Sequence, residues 1–307
     1  MSRYIRGRLL ILATILLLLC FGCAPASAPG DLVDDLGRTI TIEGIPQRII
    51  SLAPSNTEIL FALGLGDRVI GVTEYCNFPE AATTKPKVGG FSTVDIEKVV
   101  SLEPDLVLAT RIHDKTAIPA LEELGLTVLA LAPTSIDGVL NSITLVGEIT
   151  GQHRQASQLV NGLRAKTENI ASKTSNLSPD QRPRVLYLIW HDPLMTAGTG
   201  TPADDLIQKA GGQNIAYDIS GHKAIDLETV LHRDPQVIIA SVGMGTGKDL
   251  PWQYVKAEPR LEDTQALVNK RVYKIDGDIV QRPGPRIIDA LELMAQFIHP
   301  EIFQGME

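Results

Sequence analysis

Cysteine, aromatic residues and clustered positive charge are what this 307-residue chain has least of. There are three cysteines, at positions 20, 23 and 76. The first two belong to an N-terminal segment treated below, which leaves Cys76 alone. One thiol forms no intrachain disulfide, so the folded part must stand on its apolar core. Cys76 is expected as a small buried hydrophobe. The formal charge is −8 and no Lys/Arg cluster occurs, which argues against a nucleic-acid partner.

Catalytic signatures are also missing. There is no G-x-S-x-G elbow and no H-E-x-x-H. "GMGTGKD" (243–249) resembles a phosphate loop, but Val242 stands where its first glycine belongs and Asp249 where Ser or Thr belongs. The histidines at 113, 153, 191, 222, 232 and 299 show no helical metal-ligand spacing. No resident cofactor or metal is expected, and the chain is not read as an enzyme.

What is present begins with the N-terminus. "MSRYIRGR" is a basic start, and Leu9 to Gly22 is an apolar run of fourteen. A membrane span needs about 20 residues, so the run suits a signal-peptide core. "CFGC" then places small Gly22 before Cys23, like a lipoprotein cleavage box, with Cys20 where leucine is usual. Residues 1–22 are expected to be removed and Cys23 lipidated. "APASAPGD" suits a flexible tether leading, over 23–46, into a first strand.

From Arg48 onward apolar strands alternate with helices, the pattern of a parallel sheet covered on both faces. "RIISLAP" reads as a strand. "SNTEILFALG" reads as a helix with Ser55 and Glu58 forming a capping box and Gly64 ending it. Residues 151–177 lack strand signals, while Ala156, Leu159, Val160, Leu163 and Ile170 fall at helical spacing. One long connecting helix fits. The α/β pattern then restarts: "RVLYLIW" is a strand, "TPADDLIQKAGG" a helix with Thr201 as N-cap and Pro202 at N1, and "PRIIDALELMAQFIHP" a closing helix. The fold expected is α/β, with two Rossmann-like lobes of mainly parallel sheet (47–150 and 178–307) joined by a single long helix. A ligand site belongs in the cleft between them, beyond the carboxyl ends of the strands.

A module occurs twice. "VDIEKVVSLEPDLVLA" (94–109) returns as "IDLETVLHRDPQVIIA" (225–240), so that Asp95, Glu97, Val99, Pro104 and Ala109 recur as Asp226, Glu228, Val230, Pro235 and Ala240. Asp95 and Asp226 read as N-caps. Glu97 and Glu228 then fall in the first helical turn, where the dipole favours an acid. Ile96, Val99 and Val100 are expected to be buried, as are Leu227, Val230 and Leu231, with the glutamates exposed. Duplication of one ancestral lobe accounts for the repeat without any function; a two-fold partner is the alternative.

With aromatics at 5%, their placing counts. Tyr75, Phe78, Phe91 and Trp190 fall in loops or at strand ends, where cleft residues belong. "DIVQRPGPR" places Asp278, Gln281 and Arg282 in a loop before the last helix.

"RIISLAPSNTEILFALGLGDRVIGVTEYCNFP", "PKVGGFSTVDIEKVVSLEPDLVLA", "TAGTGTPADDLIQKAGGQNIA" and "RPGPRIIDALELMA" resemble the solute-binding proteins of ABC importers for iron–siderophores, heme and cobalamin. "SLAPSNTE" and "GVTEYCNFP" look closest to the cobalamin branch. The resemblance implies a monomeric, lipid-anchored binding protein outside the cytoplasmic membrane, delivering a corrinoid to an ABC permease homodimer with its ATPase subunits. It implies that Glu97 and Glu228 dock on permease arginines. It places Tyr75, Phe91, Trp190, His222, Asp278 and Arg282 around the ligand. Thr110 and His222 stand where the family carries tryptophans, and that departure keeps heme or a ferric siderophore open as cargo.

Overall fold

The computed structural model describes residues 31–243 and 249–303. The signal-peptide segment, Cys23 and positions 244–248 lie outside them.

The first lobe is built on a four-stranded sheet of order β4-β3-β5-β6, every pair parallel. Its strands are β3 (Ile49–Ser51), β4 (Val69–Val72), β5 (Leu106–Ala109) and β6 (Val128–Ala130). Three of them are buried along their whole length, as strands sandwiched between helices must be. Helices α1 (Pro54–Ala62), α2 (Ile96–Ser101) and α3 (Ala117–Glu123) connect them. A leading hairpin, β1 (Leu32–Val33) with β2 (Thr39–Ile40), is fastened to this sheet by buried Asp34. The carboxylate accepts from the Ala130 N–H and pairs with Arg38 at 2.6 Å.

The second lobe carries β7 (Arg184–His191), β8 (Leu194–Ala197), β9 (Gln213–Asn214), β10 (His222–Ala224), β11 (Val237–Val242) and β12 (Val272–Asp276), in the order β10-β8-β7-β11-β12 with β9 beside β7. The β7, β11 and β12 strands are parallel, whereas β8 runs antiparallel to both of its neighbours, β7 and β10, and the sequence pattern did not suggest β8 or β10. Alternation along β7 sends Val185 and Tyr187 inward to the main core, and Leu186 and Leu188 outward to a satellite core.

Between the sheets lie α4 (Ile136–Ile149), α5 (His153–Thr174), α6 (Pro202–Lys209) and α11 (Ile287–Ile298). The remaining helices are α7 (Leu227–Arg233), α8 (Leu250–Ala257), α9 (Gln265–Val268), α10 (Gly277–Gln281) and α12 (Pro300–Phe303). The long helix α5 carries the chain from one lobe to the other, but the packing is wider than that connection. A single apolar cluster runs from Ile49 and Leu106 of the first sheet through Ile143, Val160, Leu206 and Leu291 to Val185 and Val237 of the second. Helix α4 contributes most of its buried face to it, and α4 meets α5 so closely at Gly147 that a Cβ there would strike Ala156. Lobes that share a continuous close-packed core resist relative motion.

Three local expectations are corrected. Helix α1 starts at Pro54, which fills its first turn, and Ser55 makes no capping hydrogen bond. Glu58 is instead buried and ion-paired across the lobes. Val100 is 37% exposed, because α2 ends one residue later and only Val99 faces the core fully. Asp278 and Gln281 lie on the short helix α10 rather than a loop, with Arg282 as its C-cap. Cys76 is buried between the hydroxyls of Thr57 and Thr73.

Candidate functional site: the cleft between the lobes

A cavity of about 710 Å³ opens between the lobes. Its first-lobe wall comes from residues just past the strands. Pro54 and Ser55 follow β3, Tyr75 follows β4, Thr110, Arg111 and Ile112 follow β5, and Pro133 follows β6. That is the crevice at the carboxyl edge of an open α/β sheet. The second-lobe wall comes from Gly200 to Ala203 at the start of α6, from Gly221 and His222 at β10, and from α10 with its exit, Asp278 to Pro283.

Of the six ligand-contact candidates, five line this cavity: Tyr75, Phe91, His222, Asp278 and Arg282. Trp190 does not. It stands at the end of β7, 36% exposed, its indole N–H donating to the Asp192 carbonyl at 3.0 Å and its ring lying 4.9 Å from that of His191. Tyr75 is 52% exposed and offers a free aromatic face to the cleft. Thr110 also lines the wall. His222 is open to the cavity, yet the surrounding protein desolvates the imidazolium and holds its pKa below the ordinary histidine value. Among the described residues no group of His, Cys, Asp and Glu is placed to hold a metal ion.

Phe91 is held by a residue that sequence reasoning passed over. His113 is buried, its ring 5.7 Å from that of Phe91 in an edge-on arrangement. Its Nδ1 accepts from the Thr110 N–H at 3.1 Å, so Nε2 carries the proton and donates to the Phe91 carbonyl at 2.7 Å. Burial depresses its pKa, which keeps this neutral tautomer in place. The signal was Thr110 and His113 at three-residue spacing, legible only once the turn between them is known.

The charged groups of the cleft floor are already paired. Arg282 meets Asp278 at 2.8 Å within its own lobe and donates to Asn77 of the first lobe at 2.5 Å. Deeper, Arg286 grips Glu58 with two hydrogen bonds of 2.6 and 2.9 Å while its guanidinium lies 4.1 Å from the centre of the Phe78 ring. Glu58 is 3% exposed, and burial pushes its carboxyl pKa up against the pull of the guanidinium. Gly284 lies against the same turn, where a Cβ would come within 3.3 Å of the Ser55 carbonyl. Two side-chain bridges, Asn77–Arg282 and Glu58–Arg286, therefore clamp the lobes along one side of the cavity.

Away from the cleft, the two repeated helices carry their glutamates outward. Asp95 accepts from the Lys98 N–H at 2.9 Å and Asp226 from the Thr229 N–H at 2.7 Å, so both serve as N-caps. Glu97 and Glu228 are exposed in the first turns of α2 and α7.

Two α/β lobes with a cleft lined from both are the plan of proteins that hold a solute between lobes. The chain belongs to the periplasmic binding protein family, whose model matches residues 49–279. It is 34% identical over 284 residues to the ABC transporter substrate-binding lipoprotein YvrC of Bacillus subtilis, itself uncharacterised, covering 90% of this chain and 87% of the relative. It is 30% identical over 272 residues to a cobalamin-binding protein of Halobacterium salinarum, covering 87% of this chain and 73% of the relative. Among solved structures, the periplasmic vitamin B12 binding protein BtuF of Vibrio cholerae superposes with a TM-score of 0.72 at 26% identity, covering 85% of this chain and 99% of that one. The periplasmic heme-binding protein RhuT from Roseiflexus sp. RS-1 does so with a TM-score of 0.72 at 27% identity, covering 84% and 99%.

Proposed function

We propose that this chain is the solute-binding component of an ABC importer for a corrinoid, with cobalamin as its cargo. It captures the ring between its lobes and delivers it to the permease without making or breaking a bond. The observation that carries this reading is the wall chemistry of the cleft. Exposed Tyr75 and Ile112, half-buried Phe91 and the prolines at 54, 133 and 202 offer broad apolar contact. Asp278 and Arg282, paired with each other, present polar groups with little net charge. A large, neutral, amide-rimmed ring suits such a wall. The relatives named for cobalamin and vitamin B12 support the same reading.

Residues 1–22 act as the signal peptide and Cys23 as the lipid attachment site, which anchors the protein at the outer face of the cytoplasmic membrane. Residues 23–46 lead from the anchor to the lobes at 47–150 and 178–307, with 151–177 between them. Glu97 and Glu228 dock on two equivalent arginine pockets of the permease dimer, and the protein works as a monomer. A second reading, heme or a ferric siderophore, is favoured by one observation. Arg111 lines the cavity, is exposed and makes no ion pair among the described residues, so it is available to a ligand carboxylate, with Tyr75 as an iron ligand.

Thermal unfolding with added cyanocobalamin tests the cargo. A ligand in hundredfold excess over its Kd stabilises the native state by about 2.7 kcal/mol. An unchanged transition at micromolar cobalamin contradicts the assignment. For docking, Glu97→Ala with Glu228→Ala is expected to spare binding and abolish uptake; uptake that survives both changes removes the docking role.

A further inference from the structure

Part of the first-lobe wall hangs from one buried imidazole. Phe91 sits on a tight turn, 89–94, whose base is closed by two backbone bonds. The Gly90 N–H donates to the Thr93 carbonyl and the Asp95 N–H to the Val88 carbonyl, both at 3.0 Å. Gly89 has a φ of 96°, and a Cβ there would strike the Thr93 carbonyl. The turn also abuts Tyr75, whose ring lies 3.9 Å from where a Cβ on Gly90 would stand. Among the described residues, one hydrogen bond ties 90–93 to another part of the chain. It runs from His113 Nε2 to the Phe91 carbonyl at 2.7 Å. The same ring accepts from the Thr110 N–H at 3.1 Å. His113 therefore joins the exit of β5 to the turn that carries Phe91, and both ends of this bridge, Thr110 and Phe91, line the cavity.

The bridge works in one protonation state. Nδ1 must be bare to accept from Thr110, and Nε2 must carry the proton. A second proton goes to Nδ1, where it meets the Thr110 N–H as donor against donor. It also places a cation on a residue that is 1% exposed. The charged and titratable residues on the two segments are Arg111, Asp114 and Lys115 beside His113, and Glu74, Tyr75 and Asp95 around the facing turn. All are exposed, and none of them shifts the ring's pKa. Burial holds it down, against the pull of the two backbone bonds. A protonated His113 is relieved by leaving its pocket, which frees the Phe91 carbonyl and the turn with it.

We propose that His113 is a positioning residue for the cargo: its neutral ring holds Phe91 in the cleft wall, and acidification lets that wall go and weakens binding. This rests on the reading of the cleft as the solute site. Linkage sets the sign. The loaded cleft keeps the turn in place and so binds fewer protons at His113 than the free protein. Affinity is complete above the free protein's His113 midpoint and falls below it, by at most about tenfold per pH unit for one proton. Reciprocally, bound ligand lowers that midpoint. His222, open to the same cavity and also held below the ordinary histidine value, is the competing imidazole.

The test is calorimetric titration of the full exported protein with cyanocobalamin from about pH 7.5 to about pH 4.5, which spans the ordinary histidine value and the range beneath it, with NMR of the His113 ring nitrogens. Affinity is expected to fall with pH, and the ring midpoint to drop on loading. His113→Gln offers a donor and an acceptor that do not titrate; it should weaken binding severalfold at neutral pH and flatten the profile. His222→Gln should leave most of the fall in place. Phe91→Ala should flatten the profile although His113 still titrates, which a merely structural histidine would not do. A fall that survives His113→Gln, or a ring midpoint equal in the free and loaded protein, overturns the proposal. If cobalamin binds at no pH, the corrinoid reading fails and the free protein decides the role of His113. Amides of 90–93 should then exchange faster in the wild type than in His113→Gln at the same acid pH, and equal exchange overturns it.

Discussion

The two lobes agree at their outer ends and disagree at the cleft. The agreement extends beyond the repeated sequence. Arg48, just before β3, donates to the carbonyls of Leu102 and Glu103 at 2.5 and 2.9 Å, closing the C-terminus of α2. Arg184, the first residue of β7, does the same for Arg233 and Asp234 at the end of α7, at 2.9 and 2.7 Å. Glu103 and Asp234 occupy equivalent places, each left-handed (φ of 48° and 43°) and each followed by a proline that stops the helix. Asp105 and Gln236, again equivalent, accept from the backbone N–H of Arg48 and Arg184. A cation at a helix C-terminus satisfies the free carbonyls and complements the dipole. The duplicated unit is therefore a strand–helix–strand scaffold with its own electrostatic fastening. At the cleft the first lobe presents Tyr75, Phe91 and Ile112, and the second presents His222, Asp278, Gln281 and Arg282. The scaffold is kept alike in both lobes while the walls diverge, as expected when two similar supports hold one asymmetric ligand.

The clamp between the lobes gives the largest expected effect. Arg286→Ala leaves Glu58 as an unpaired buried carboxylate, and denaturant unfolding is expected to show a loss of about 3–5 kcal/mol. Replacing both partners by apolar residues, Glu58→Leu with Arg286→Met, should recover most of it; a double variant as unstable as the single one contradicts the ion-pair account. The fastening arginines come next. Arg48→Ala and Arg184→Ala should each cost about 1–2 kcal/mol, the loss at Arg184 being the larger by a small margin because it also pairs with the Asp234 carboxylate at 3.2 Å. Widely different losses would break the symmetry argued above. The helix caps follow. Asp226→Ala should lower the unfolding midpoint more than Asp95→Ala, because Asp226 also accepts from the Thr229 hydroxyl at 2.8 Å; the opposite order would contradict a stabilising role for that second bond. The smallest effect is a pH dependence. The folded state holds His113 below its ordinary pKa, so it binds fewer protons than the unfolded chain. This contribution is complete above about pH 6.5, the unfolded value, and declines as pH falls from there toward the folded pKa. His113→Gln should flatten that part of the stability profile, and an unchanged profile would remove His113 as its source.

Much of the scaffold was legible in the sequence because its signals are local. Asp95, Asp226 and Thr201 cap helices where spacing places them, and strands such as "DLVLAT" and "QVIIAS" announce themselves by apolar runs between turn residues. The cleft was less legible, because its determinants are distant pairs. Nothing near Glu58 indicates Arg286, 228 residues on, and Ser55 with Glu58 matched a local capping box that Pro54 pre-empts. The short strands β8 and β10 pair only with second-lobe strands, and no periodicity marks three or four residues. Trp190 has the right type and the right strand end, yet its indole is tied to the Asp192 carbonyl and it is not among the residues that line the cavity. Gln281 was placed in a polar loop; it lies on the short helix α10 and lines the cavity.

The central claim is that the cleft binds a corrinoid. Isothermal titration of the purified exported protein with cyanocobalamin, and separately with hemin, tests it most directly. The account predicts saturable heat with one cobalamin per chain, weakened by Tyr75→Ala, and no comparable response to hemin. Saturable hemin binding with a Soret shift that disappears in Tyr75→Phe, and no heat with cobalamin, would contradict it.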